Sequence, residues 1–254
     1  MTIRVIALNT FKEAVRDRIL YLLLFFAAAA IGLSRVLAIL TVGDRAKVVK
    51  DVGLSSIAFF GALMAILIGT GLVYKEIDKR TIYTLLSKPL RRIEFILGKF
   101  AGLALTLLVM IALMTVVFLA LVYAHTLRVE WPLLAAVVFI YLELLLLTAV
   151  AVFFSCFSTP ILSSLFSLGF YLIGHFSWSL QTLIKKIRPG FGRTAVQVLY
   201  TVLPDLEHFN YKTEVVHGLG IPASSWWSAP AYGLCYTVFV LALAVAVFRR
   251  RDFV

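Results

Sequence analysis

The sequence predicts an all-α membrane protein with six transmembrane helices and an N-terminal amphipathic interfacial helix. Three observations predict it. Of the 254 residues, 62% are hydrophobic and only 15% charged, and the mean hydropathy of +1.00 is far above that of a soluble globule. Several apolar runs are long enough to cross about 30 Å of hydrocarbon as helices. In hydrocarbon each segment must satisfy its own backbone polar groups, which favours a helical bundle. The alternating segments of roughly ten residues that would mark a β-barrel are missing.

Residues 2–18 read as a helix lying flat on the cytoplasmic surface. Ile3, Leu8, Phe11, Ala14 and Val15 share one face of a helical wheel, and Asn9, Lys12, Glu13 and Arg16 the other. Ile6 and Arg18 fall off this pattern. The apolar run after Arg18 is long, so a cleavable signal is not expected. The spans are expected at 19–40, 54–74, 95–124, 132–154, 161–180 and 229–248. Arg35 lies near enough to the outer end of the first to snorkel. The link from Ser155 to Pro160 is short, so the fourth and fifth spans form a tight cytoplasmic hairpin. Segment 181–228 is the largest outer piece and is broken by Pro189, Gly190, Gly192, Pro204 and Pro222. Within it, Thr194 to Phe209 suits a short amphipathic or re-entrant helix. Trp226 and Trp227 suit the outer interface or a packed cap. The whole chain, 1–254, reads as one transmembrane domain without internal repeats.

Charge sets the orientation. With both termini inside, the cytoplasmic set holds Arg4, Lys12, Arg16 and Arg18, seven Lys and Arg around the 75–99 link, and Arg249, Arg250 and Arg251, which is 14 of 24. The net charge of +11 therefore points to cytoplasmic helix ends in a multi-pass inner-membrane protein rather than to nucleic acid. Cys156 and Cys235 fall in or beside apolar spans, without a CxxC or a His cluster, so neither a structural disulfide nor a metal site is expected. No phosphate-binding loop, HExxH or Ser/His/Asp arrangement stands out. The chain is expected to be non-catalytic and to hold no cofactor.

Several residues inside the spans draw notice. Glu143 sits near the centre of the fourth span, where a carboxylate costs several kcal/mol and should face protein or water. It is either a path or switch residue, or a hydrogen-bonded group joining helices. His175 in the fifth span is its candidate partner, a substrate contact, or simply packed. Gly61, Ala65 and Gly69 recur every fourth residue, and Gly98 with Gly102 opens the third span. This spacing lets helices approach closely, within the chain or at a dimer seam. Ser163, Ser164 and Ser167 either line a path or bond to the backbone.

The 75–94 link is the most informative stretch. Lys75, Lys79, Arg80, Lys88, Arg91 and Arg92 are basic, and Glu76, Asp78 and Glu94 acidic. Ile82, Leu85 and Leu86 lie at i, i+3 and i+4, an apolar stripe suited to a groove on a partner, and Pro89 stops the helix. Physics alone also allows an interfacial loop gripping headgroups. The order Lys75-Glu76, Arg80-Thr81, Leu85-Leu86-Ser87-Lys88-Pro89, Arg92, Glu94 and Gly98-Lys99 resembles the type-2 ABC transporter permeases. The Pro204-Asp205-Leu206 region and the terminal stretch from Phe248 to Asp252 support the resemblance, which covers essentially the whole chain. Within that family it looks closest to the permeases of nitrous-oxide-reductase maturation and gliding motility.

The resemblance implies a type V exporter-like fold and a coupling helix around 81–89. The ATPase-coupling residues would be Glu76, Arg80, Thr81, Ile82, Leu85, Leu86, Pro89, Arg92 and Glu94. It implies two membrane subunits, the second being another copy or a related permease, with two separate ATP-binding subunits that carry the ATP and Mg. Membrane lipid surrounds the assembly, and a periplasmic partner is compatible with it. The expected function is the membrane subunit of an ATP-driven exporter. The rival readings are an intramembrane enzyme, which would need more than Glu143 and His175, and a non-transporting scaffold or force-transmitting subunit.

Overall fold

The computed structural model describes residues 2–41, 44–78, 92–128, 130–176, 197 and 204–250. The helices are α1 (Thr2–Val15), α2 (Arg18–Leu40), α3 (Arg45–Asp78), α4 (Arg92–Thr126), α5 (Pro132–Ser155), α6 (Pro160–His175), α7 (Lys212–Val216) and α8 (Ser225–Arg250), with a 3-10 turn at Leu206–Phe209. Five of them, α2, α3, α4, α5 and α8, are long and apolar enough to cross a bilayer. The expected fifth span appears as α6, only 16 residues long, and its expected end at 177–180 lies outside the described residues.

Two boundaries differ from the sequence expectation for a physical reason. Helix α3 begins at Arg45, nine positions before the apolar run at 54–74, because a helix propagates through polar residues once nucleated. Lys50, in that extension, pairs with Glu130 at 2.6 Å and ties the start of α3 to the loop before α5. Likewise α8 starts at Ser225 rather than 229. The interfacial helix ends at Val15, and the Asp17 side chain accepts from the Ile19 N–H at 3.0 Å to cap α2.

Helix α5 is the hub. It packs against α3, α4, α6 and α8. Its sequence is apolar around the whole circumference, the pattern of a helix surrounded by others. In the most apolar 18-residue window, 67% of residues are buried in α3 and α5 but 28% in α2. Accordingly α2 buries only one stripe, Leu20, Leu23, Ala27, Ile31, Ser34 and Ala38, and turns Phe25, Phe26 and Leu22 outward. The turn between α5 and α6 is as tight as expected, closed by Ser158 N–H donating to the Phe154 carbonyl at 3.0 Å, with Pro160 opening α6.

The small-residue stripes are used inside the chain. A Cβ at Gly61 would come within 2.5 Å of Leu144, and one at Gly69 within 3.2 Å of Ala151, so α3 lies directly on α5. At Gly98 it would meet Ile6 at 2.7 Å, and at Gly102 the Ala7 carbonyl at 2.6 Å, so α1 lies directly on α4. Gly61, Gly69, Gly98 and Gly102 thus serve contacts within the chain.

Candidate functional site

Among the described residues two places carry polar chemistry: the end of the bundle where α4 starts, and a buried pair near its middle. The 79–91 link holding Arg80, Thr81, Ile82, Leu85, Leu86 and Pro89 lies outside the described residues. Glu76 lies in the last stretch of α3. What is described is the frame on which the link is mounted.

That frame joins three helices. Arg92, in the first turn of α4, donates from one guanidinium nitrogen to the Phe248 carbonyl at 3.1 Å and the Arg249 carbonyl at 2.6 Å. These carbonyls belong to the last turn of α8, which lacks intrahelical partners and carries the negative end of the helix dipole. Phe95 stacks on Phe248, ring centroids 5.6 Å apart and planes within 13°. Glu94 stands in the same first turn of α4, where a carboxylate suits the positive dipole end. One turn further, Lys99 is 1% exposed and reaches Glu13 of α1 at 3.7 Å. The start of α4 thus holds α1 on one side and the end of α8 on the other.

Sequence reasoning counted Lys99 among the link charges and Glu13 on the polar face of α1, without pairing them. A signal was present: a lysine beside Gly98 opens an apolar run, which demands a nearby acceptor. The wheel reading of α1 also needs correction. Its protein-facing stripe is Ile6, Ala7, Thr10 and Ala14, including the off-pattern Ile6, while Leu8 is 53% exposed. The helix serves two apolar environments, protein on one face and an outward Leu8 on another, and a single-moment reading merges them.

Near the bundle middle, α5 places Glu143 at 2% exposure. Its Oε1 lies 3.6 Å from Nε2 of His175, the last residue of α6. That separation is too long for a hydrogen bond. Oε1 and both imidazole nitrogens are buried and make no hydrogen bond among the described residues. Tyr171 packs on the imidazole at 4.6 Å. Of the serines of α6, Ser164 contacts Thr70 of α3 at 2.8 Å and donates to the Pro160 carbonyl, and Ser167 donates to the Ser163 carbonyl. Both therefore serve to bond backbone and helices.

Above this pair sits the outer segment. Of the expected 194–209 helix, the described part is a 3-10 turn whose Leu206 and Phe209 are fully buried. Phe139, one turn before Glu143 on α5, meets Tyr211 at 4.6 Å and Trp226 at 5.5 Å. Trp226 therefore packs, whereas Trp227 is 83% exposed. Among the described residues no group of three or more His, Cys, Asp or Glu could hold a metal.

Among the described residues this arrangement offers a fastened start of α4 and a buried acid–base pair, but no nucleophile with a base. Residues 4–253 match the family model of the ABC-2 family transporter proteins. The chain belongs to that family. No individual curated protein matches the chain closely enough to stand as a named relative. As an ABC-2 permease it is a membrane-embedded transport subunit, and the apolar, nearly all-helical bundle agrees with that role.

Proposed function

We propose that the chain is the membrane-spanning subunit of an ATP-driven exporter of the bacterial inner membrane, working as two copies with two separate ATPase subunits. The observation that carries this reading is the fastening of the start of α4. The 79–91 link joins α3 directly to Arg92, and Arg92, Phe95 and Lys99 bind that end of α4 to α8 and α1. A push on the link is delivered to four helices together, which suits rigid-body rocking of a bundle. The link's own stripe of Ile82, Leu85 and Leu86 suits a groove on the ATPase. ATP and Mg belong to that partner; this chain contributes docking and transmission.

The test is co-purification with the candidate ATPase, followed by turnover in lipid, for the parent and for Leu85→Asp. A charge in the stripe must be desolvated in the groove. We expect at least tenfold weaker ATPase association with normal membrane insertion. Normal association and normal coupled turnover by Leu85→Asp would remove the coupling assignment.

A further inference from the structure

Glu143 and His175 present a charge problem that the transport reading does not use. Both lie inside the apolar bundle, 3.6 Å apart, and their facing atoms find no hydrogen bond among the described residues. A bare carboxylate or a bare imidazolium there costs several kcal/mol. Two arrangements avoid the cost. A neutral carboxylic acid lies beside a neutral imidazole, or a carboxylate lies against an imidazolium. Each arrangement holds one proton between the two side chains. Removing that proton strands a buried carboxylate, and adding another strands a buried imidazolium.

Charges of both signs surround the pair. Among the described residues, the charges acting on the pair are Lys212 on α7, Glu207 in the 3-10 turn and Asp205 just before it. Lys212 opposes a second positive charge. Tyr171, on α6 itself, faces the imidazole.

The pair is also placed to sense the outer cap, residues 204–216. His175 ends α6, and its neighbour Gly174 is so close to the cap that a Cβ there would lie 2.6 Å from Leu206. Phe139, one turn from Glu143, holds Tyr211. The cap is further tied to α8 by the Tyr232 hydroxyl, which accepts from the Asp205 N–H at 2.9 Å. We propose that Glu143 and His175 form a buried site for one proton, and that this proton fastens α6 and the outer cap onto α5.

The linkage has a definite sign. Lifting the cap admits water to both side chains. In water an imidazole holds its proton only below about pH 6.5 and a Glu carboxyl below about pH 4.3. Between those values the open and closed states each hold one proton, and opening does not depend on pH. Above about pH 6.5 the open state has lost the proton that the closed state keeps. Opening then becomes easier with rising pH, by at most about tenfold per unit.

The test needs no ATPase and no assumption about orientation, so it fails independently of the transport reading. The full chain, with Cys156 and Cys235 replaced by alanine, is placed in lipid nanodiscs where both faces are accessible. A buried probe, Val216→Cys, and an exposed one, Ser224→Cys, are labelled with a maleimide from pH 5.5 to 8.5. The ratio of the two rates cancels the ionisation common to both thiols. The expected ratio is flat to about pH 6.5 and then climbs. In Glu143→Gln the lone imidazole is neutral when buried and protonated in water below about pH 6.5, so the ratio falls to about pH 6.5 and is flat above it; in His175→Asn the lone carboxyl is neutral when buried and ionised in water above about pH 4.3, so the ratio already climbs from pH 5.5. A parent ratio without the climb overturns the proposal. So does a climb above pH 6.5 that persists in Glu143→Gln, or a His175→Asn ratio that stays flat to pH 6.5 as in the parent, because the onset near pH 6.5 requires both partners.

Discussion

Gly102 shows how one missing methyl group decides where a helix sits. Its absent Cβ leaves room for the Ala7 carbonyl and for Thr10, both of which would otherwise be 2.6 Å away. The Thr10 hydroxyl in turn donates to the Ile6 carbonyl at 2.9 Å, so it brings no unsatisfied polar group into the contact. Replacing Gly102 by valine overfills this contact, at a cost of about 1–3 kcal/mol. We expect α1 to leave α4 while the spans stay inserted. Spin labels at the exposed Asn9 and Leu108 would report a longer and broader distance in Gly102→Val. Gly32→Val is the control, since a Cβ there meets nothing within 4 Å. An unchanged distance in Gly102→Val would show that α1 is not held at this point.

Helix ends, rather than helix interiors, hold this protein's inner face together. Arg92 supplies hydrogen bonds to two carbonyls that α8 leaves unmade. Bonds from a charged donor are worth about 1.5–3 kcal/mol when buried; this contact is only part-buried, and about 1 kcal/mol, or roughly fivefold, is the reasonable share. Arg92→Gln should therefore raise the hydrogen-exchange rate of the last-turn amides of α8 about fivefold, leaving the middle of α8 unaffected. Equal protection in parent and variant would mean that the Phe95–Phe248 stack alone fixes the end. At this scale the sequence was informative where one environment dominates. Long apolar runs marked α2, α4, α5 and α8 within a few residues, and Pro160 marked the start of α6. It was less informative where two environments compete. The polar extension of α3 from Arg45 follows from helix propagation and the Lys50–Glu130 pair, which needs the distant loop to be in place. The clasp at Arg92 is similar: the sequence offered Arg92 as a coupling residue or as part of a loop gripping headgroups, and only the fold brings the end of α8 alongside. Spacing indicated that Gly61, Gly69, Gly98 and Gly102 are contact points, but a stripe of small residues does not name the helix it will meet.

The whole bundle has two chemically different ends, and they fix a testable orientation. One end gathers Arg92, the close of α8, Lys99 and the α1 helix. At the other end Lys50 is paired with Glu130, and the cap carries Asp205, Glu207 and Glu214 alongside Lys212. We expect the end bearing α1 and the start of α4 to face the cytoplasm, because 14 of the 24 Lys and Arg fall on that side in the sequence. In intact cells, after Cys156 and Cys235 are replaced by alanine, an impermeant maleimide should label Ser224→Cys and leave Ser87→Cys and Thr159→Cys unlabelled until the membrane is opened. The two inner probes lie in different connections, the link and the α5–α6 turn, so a local distortion at one cannot imitate the pattern of both. Labelling of Ser87→Cys and Thr159→Cys from outside, with Ser224→Cys protected, would invert the molecule and remove the link from reach of any cytoplasmic ATPase.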